Sequence, residues 1–263
     1  QGAQNENPMY VAEQYQPVNR VNRFIGQATA RWQPLLWLDA EANFGYDFRQ
    51  SLQEDQEDRG HRITVAPAGS RALGYAARNT GRDMSLNGSL DVTARRNWFA
   101  DNLSSRLTFR TLFEGQDSRG LNVTGSDLVV PGLRDVNATR ATTRTGGSYI
   151  EQVRQMGMFL NLDLDWQGKY ILSGLVRRDG ASLFGADTRW QTYGRGSVAW
   201  RLSEESWFGI DAISDLKLRA SVGQAGNRPQ FSAQYETYNI AGDGVTLSAA
   251  QIGNRALRPE VST

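Results

Sequence analysis

His61 is the only histidine among the 263 residues, so any Ser-His-Asp relay would have to pass through it. It stands beside Gly60 in a polar stretch with no ordered partner in view, and catalysis is not expected there. Cysteine is absent, which excludes thiol nucleophiles, disulfides, zinc-thiolate sites and iron-sulfur clusters. Glu54, Asp55, Glu57 and Asp58 form an acidic run that could attract calcium. The run lacks the glycine and terminal bidentate glutamate of a hand-type loop, and it reads as a solvated extracellular loop. Asp163 and Asp165 look like a carboxylate pair, but residues two apart on a strand share one face, whereas glycosidase chemistry needs opposed carboxylates. Gly223-Gln224-Ala225-Gly226-Asn227 has no helix signal after it, so it reads as a strand-to-loop bend rather than a phosphate cradle. Arg177, Arg178 and Asp179 are expected to close a strand and to pair across strands. No catalytic residue, metal site or cofactor is expected, and the chain does not read as an enzyme.

Charge narrows the partners. Lys plus Arg number 29 against 28 Asp plus Glu, a net +1 that removes the electrostatic case for nucleic acid. Only Lys169 and Lys217 among those bases are lysines. Hydrophobic residues at 39%, with 27 glycines besides, fit a folded chain rather than a disordered one. No run approaches the ~18 apolar residues of a membrane helix. A transmembrane β-barrel escapes that criterion, because its lipid face is hidden in alternation.

Alternation is what the sequence contains. From Trp37 to Arg49, Leu38, Ala40, Ala42, Phe44, Tyr46 and Phe48 interleave with Asp39, Glu41, Asn43, Gly45, Asp47 and Arg49. A strand gathers the first set on one face, whereas a helix would scatter it. Asp83 to Ala94 repeats the pattern, with Met84, Leu86, Leu90 and Val92 against Asp83, Ser85, Asn87 and Asp91. Weaker versions run over Leu103–Glu114 and Met156–Trp166. Further strands are expected at Asn22–Trp32, Tyr170–Asp179, Trp190–Leu202 and Asp215–Gln224, with a ninth starting near Leu257. Several match the ~9 to 11 residues of a tilted membrane strand, longer than the usual ~5 to 6.

The connections alternate too. Short ones fall near 33–36, 95–102 and 167–169, and long ones near 50–82, 115–152 and 225–256. Loop 180–189 is of modest length, and the turn 203–214 is rather long. Of the seven tryptophans, all but Trp190 fall at the short-turn end: Trp32, Trp37, Trp98, Trp166, Trp200 and Trp207, with Tyr170 beside them. That is where an interfacial aromatic girdle belongs. The polar positions Asp39, Glu41, Asn43, Arg106, Arg110, Asp163 and Asp165 would then line an aqueous lumen.

The block from Lys169 to Asn227 has a specific resemblance. Tyr170-Ile171-Leu172-Ser173, Arg177-Arg178-Asp179-Gly180-Ala181-Ser182, Phe184-Gly185, Arg189-Trp190, Val198-Ala199-Trp200-Arg201-Leu202-Ser203-Glu204-Glu205 and Ile213 to Asn227 resemble SusC/RagA-like TonB-dependent outer-membrane receptors, in that family's order. Asn254–Thr263, Asn7-Pro8-Met9-Tyr10 and Asn22-Arg23-Phe24 are similar to flanking barrel segments. The resemblance implies an all-β, antiparallel, up-and-down transmembrane barrel, with about eight strands present here of about 22 and long extracellular loops.

Residues 1–263 are accordingly expected to be a partial barrel domain, with the plug, the TonB-contacting segment and the C-terminal strands absent from it. The resemblance further implies import of oligosaccharides or peptides across the bacterial outer membrane. The partners it implies are outer-membrane lipid, a SusD-like surface lipoprotein, and the TonB complex through the N-terminal parts. It carries over no ligand-contacting residue. A small self-contained outer-membrane barrel is the alternative, since eight strands can close, and a secreted β-rich hydrolase is a third class.

Overall fold

The computed structural model describes residues 9, 17–60, 73–210, 212–227, 234–240, 246–254 and 260–263. His61, most of the segment 1–16 and the start of the ninth strand near Leu257 lie outside the described residues. Eight strands form one sheet in sequence order: β1 (Val18–Leu35), β2 (Leu38–Glu57), β3 (Tyr75–Trp98), β4 (Leu103–Ser126), β5 (Thr145–Trp166), β6 (Tyr170–Ala181), β7 (Trp190–Arg201) and β8 (Lys217–Gly223). Each strand is hydrogen-bonded to the next, and β1 and β8 stand at the two ends of the order, so among the described residues the eight strands do not close on themselves. The Gln224 N–H bonds to Gly194 O at 2.9 Å, so β9 (Ala225–Asn227) prolongs β8. β9 pairs antiparallel with β12 (Glu260–Ser262), and β10 (Thr237–Ile240) pairs with β11 (Leu247–Gln251).

The strands run further than alternation marks them. β3 begins at Tyr75 instead of Asp83, β4 continues to Ser126 instead of Glu114, and β5 begins at Thr145 instead of Met156. β3 and β4 reach 24 residues each, against the ~9 to 11 that cross a bilayer. In the extensions polar residues occupy both faces, as in Asn79-Thr80-Gly81-Arg82 and Gln116-Asp117-Ser118-Arg119. Period two vanishes from the sequence there while the backbone ladder goes on. Most of the acidic run accordingly lies on β2 and not in a loop. Glu54 is ion-paired with Arg78 on β3, and Glu57 is buried.

The described residues divide into two compact units. One is drawn from Gln1–Gly26, Tyr46–Ser85 and Gln116–Gln152, the other from Gln27–Gly45, Leu86–Gly115 and Val153–Thr263. In the first, the connection 127–144 is fastened to its neighbours by backbone bonds from Asp127 N to Gly74 O (2.9 Å), Leu128 N to Leu73 O (2.8 Å) and Val129 N to Ala138 O (2.7 Å). Leu128 is fully buried, and Ala76, Ala77 and Ala138 of the same unit are buried as well. Gly74 has φ +88, and a Cβ there would lie 2.6 Å from Leu128 Cδ1, so glycine is required twice over. Asp127 is buried and accepts hydrogen bonds from Arg59 (2.8 Å) and Arg140. Burial works against its charge, but the two arginines outweigh burial and hold its carboxyl below the usual range.

In the second unit the antiparallel registers of β5 to β8 assign faces residue by residue. Trp166, Tyr170, Trp200 and Leu218 lie side by side on one face; Leu164, Leu172, Val198 and Ala220 form the next row on it. The opposite face carries Asp163, Ser173, Ser197 and Ser221. Among the described residues nothing packs over the apolar rows: Leu172, Val198 and Leu218 are each 50% or more exposed. Only eight hydrophobic residues are buried among the described residues, four of them in one cluster of Val153, Ala181, Leu183 and Phe184. A soluble domain of this size would bury the sets that this sheet leaves open.

Replacing Leu128 by Ala should cost about 2 to 5 kcal/mol of local stability in the 127–144 connection. Hydrogen exchange on the protein checks this. The amides of Leu128, Val129 and Arg140 should lose protection while those of β6 and β7 keep theirs, and unchanged protection at Val129 would show that Leu128 does not hold the connection.

Candidate functional site

Alternation sends the odd-numbered residues of β2 and β3 and the even-numbered residues of β4 to one face of the second unit. The contacts agree. On β2, Glu41 accepts from Arg31 of β1 (2.8 Å) and from Asn43 (2.9 Å), and Asn43 accepts from Thr29 (2.7 Å). Asp39 pairs with Arg95 of β3, Asp91 of β3 with Arg110 of β4 (3.2 Å), and Thr93 meets Thr108 at 3.2 Å. Five of the seven polar positions singled out from sequence therefore take part in bonds along this face: Asp39, Glu41, Asn43, Arg110 and, through Asn161 at 2.7 Å, Asp163. Arg106 is exposed two residues before Thr108, on the same face. Asp165 keeps its Oδ1 buried without a hydrogen-bond partner.

Asp163 and Asp165 do share a face. Their register partners on β6 are Ser173 and Ile171, so no carboxylate opposes either of them there. Among the described residues no group of three or more His, Cys, Asp or Glu could hold a metal ion.

Further along the polar face, the ion pairing expected across strands for Arg177, Arg178 and Asp179 is not found among the described residues. Arg177 and Asp179 pair within β6, because residues two apart point the same way, while Arg178 turns to the other face and lies 5.5 Å from the Trp190 ring. Arg177 also sits over Phe159 at 4.6 Å. Arg177 and Asp179, with Gln191 and Tyr193, line a pocket of about 330 Å³ that reaches Asn227. Sequence reasoning missed this pocket, because Tyr193 and Asn227 meet Asp179 only through the β6–β7 and β7–β8 registers.

The aromatic residues of the other face collect at the short turns. Trp32, Trp98, Trp166, Tyr170 and Trp200 occupy its even-numbered positions, and Trp37 and Trp207 lie in the connections. Trp98 donates its indole N–H to Ser105 (2.9 Å) and carries Arg96 over its ring at 4.5 Å. Phe99 packs on Trp166, Tyr170 stacks on Trp200, and Trp207 meets Trp200 edge-on, with centroids 6.1 to 6.3 Å apart. Backbone bonds close this end from one turn to the next strand: Arg95 N to Trp37 O, Gln167 N to Asn102 O and Arg201 N to Lys169 O, all 2.7 to 2.8 Å.

Glu205 ties the row together. A short 3₁₀ turn, Leu202–Glu204, brings it back under β6 and β7. Its carboxylate accepts from the Tyr170 hydroxyl (2.6 Å), the Trp200 indole N–H (3.0 Å) and Lys169 (3.3 Å). The Tyr170 bond, then those of Trp200 and Lys169, hold its carboxyl below the ordinary glutamate range against the opposing effect of burial. The available signal in the sequence was a carboxylate lying between two tryptophans in a turn.

Comparison with known proteins adds three findings. A family model described as "TonB dependent receptor-like, beta-barrel" matches residues 3–263. TonB-dependent receptor P3 of Formosa agariphila is 25% identical over 259 residues, covering 92% of this chain, and SusC of Bacteroides thetaiotaomicron is 29% identical over 34% of the chain. The structures titled "Structure of the RagAB peptide transporter" and "Structure of the RagAB peptide importer in the 'open-open' state" superpose with TM-scores of 0.84 and 0.83 over 96% of this chain, at 16% and 15% identity. The chain spans about a quarter of the length of the relatives it matches over most of its own length, 25% of the Formosa receptor and 28% of each superposed chain.

Acid should release the Glu205 cluster late. A depressed folded-state pKa means a stabilising contribution that is complete above the unfolded-state pKa and lost as pH falls through the folded one. Tryptophan fluorescence of the protein, compared with Glu205→Gln, should show an acid step present in the parent and missing in the variant. Identical titrations would mean that this carboxylate does not govern the row.

Proposed function

We propose, because this chain belongs to the TonB dependent receptor-like β-barrel family, that it forms part of the membrane-spanning wall of a receptor importing oligosaccharides or peptides across the bacterial outer membrane. The observation that carries the reading is the uncovered apolar face, with Leu172, Val198 and Leu218 in rows beside an aromatic row at the short turns. Hydrocarbon is the solvent in which that face is stable, and Trp and Tyr anchor such a surface at the water boundary. The girdle is then Trp32, Trp37, Trp98, Trp166, Tyr170, Trp200 and Trp207, set at the periplasmic end. The polar face, with Asp39, Glu41, Asn43, Arg106, Arg110, Asp163 and Asp165, faces a water-filled lumen. Glu41, Asp39 and Arg110 are already ion-paired, with Arg31, Arg95 and Asp91, which suits a passage that must release what it admits.

Residues 1–263 act in this reading as a partial barrel domain of about eight strands. A lipid layer leaves no unpaired strand edge, so β1 and the β9–β12 side would each continue into further strands of the assembled receptor. Gating and energy coupling through the TonB complex would be properties of the assembled receptor, with a SusD-like lipoprotein at the extracellular side. SusC and the RagAB structures support that arrangement through likeness to this chain. No step of the reading calls on a catalytic group.

Fractionation of cells expressing the full-length protein tests it. Recovery in the outer membrane is expected, and recovery in the cytosol would end the proposal. Face assignment gives a finer check. Ala42→Arg, on the apolar face of β2, should cost about 2 to 4 kcal/mol near the midplane, and Asn43→Arg on the polar face about 1 or less. Assembly assays in which the two variants are equally tolerated would show that β2 does not separate lipid from water.

A further inference from the structure

We infer that the polar face of the first unit carries a binding site for a neutral, hydroxyl-rich ligand, a sugar ring or short oligosaccharide seated on Tyr149. The inference rests on the import reading and names the class of ligand. A pocket of about 550 Å³ opens there, within the ~300 to 1,000 Å³ typical of small-molecule sites. It gathers residues from five strands: Asn19 of β1, Arg49 and Gln53 of β2, Asn79 of β3, Asn122 of β4 and Tyr149 of β5.

Three features select the ligand. The first is charge. Among the described residues Arg49 is the one charged side chain lining the pocket and no carboxylate lines it, so nothing there meets the ammonium terminus of a peptide. The acidic residues nearest in sequence are committed elsewhere, Asp47 to Arg23 at 2.6 Å and Glu54 to Arg78. The pocket at Arg177 and Asp179 has the opposite character, with both signs of charge present. A peptide with its two charged termini matches that second chemistry better than the first.

The second feature is the amide lining. Asparagine and glutamine each offer donors and an acceptor, and each sugar hydroxyl needs both. Asn122 donates its NH₂ to the carbonyl of Asn79, which leaves the NH₂ of Asn79 and the carbonyl of Asn122 to meet a ligand. Ser51 and Ser148 add hydroxyls to the same wall.

The third is the platform. Tyr149 is 57% exposed, an unusual state for an aromatic ring on a polar sheet face. It lies across Gly120, where a Cβ would come within 2.2 Å of the ring, so only glycine lets the ring lie there. Gly81 and Gly147 also line the pocket and keep its floor free of side chains. A flat aromatic surface amid amides and hydroxyls fits the apolar C–H face of a sugar, whose rim is polar.

The test uses the full-length receptor in detergent, applied to an array of neutral oligosaccharides, uronate-containing oligosaccharides and short peptides, followed by titration of the strongest neutral probe. Neutral oligosaccharides should bind. Tyr149→Ala should weaken binding about tenfold, Gly120→Ala should weaken it comparably by displacing the ring, and Tyr149→Phe should stay within about threefold of the parent. Glu205→Gln, remote in sequence from the pocket, serves as the folding control and should bind as the parent does. Binding of peptides or uronates alone overturns the inference while leaving import intact, and so does a neutral probe that ignores Tyr149→Ala. Failure of the import reading would be seen separately, as a receptor recovered outside the outer membrane.

Discussion

A peptide N–H or C=O with no partner costs several kcal/mol in a medium without water, and that cost governs the rest of this chain. A sheet in sequence order answers it simply, since every strand finds its partner in the next segment of the chain and antiparallel neighbours need only a tight turn. Where the sheet meets its short turns, the bonds from Arg95 to Trp37, Gln167 to Asn102 and Arg201 to Lys169 carry the pairing past the last regular residue. Once the backbone is satisfied internally, the side chains are left to suit two different solvents. That is why Leu172 and Ser173 can be neighbours in sequence and opposites in chemistry.

The two faces are stabilised by different means. On the apolar face the side chains lie exposed in rows, and hydrogen bonds hold the aromatic row, where Glu205 satisfies three donors at once. The polar face is laced by arginine–carboxylate pairs from strand to strand, such as Arg31 with Glu41 and Arg110 with Asp91. Pairs so exposed contribute little to stability. Their effect is to leave a surface rich in charge but nearly neutral in sum. The buried residues at Leu128 and Phe184 are small exceptions, and all of them but Val153 come from strand ends and connections rather than from strand middles.

How far the sequence could be read depended on whether the two faces differed. Leu38 to Arg49 and Asp83 to Ala94 alternate strictly, and the structure makes both of them strand. The stretches Tyr75–Arg82, Gly115–Ser126 and Thr145–Gln155 are strand as well, yet their side chains are polar on both sides, so no periodicity distinguished them from loop. The acidic residues near Glu54 were misplaced for the same reason. The polar positions were legible one strand at a time, whereas the pockets were not: Asn19 and Tyr149 stand far apart in sequence and line one pocket only because five strands lie in register. Glu205 was hidden because its role depends on a turn that returns it beneath residues read as neighbours of lipid.

The distribution of lysine has a chemical consequence. Both lysines lie at the short-turn end, Lys169 against Glu205 and Lys217 opposite Arg201 in the ladder, while the first unit carries its positive charge entirely on arginine. Amine-directed acylation therefore distinguishes the ends of this segment: the reagent finds side-chain nucleophiles only beside the aromatic row, and the guanidinium groups elsewhere do not react. A footprint of modified lysines would report which compartment the turns occupy, and the long connections would stay silent in it whatever they bind.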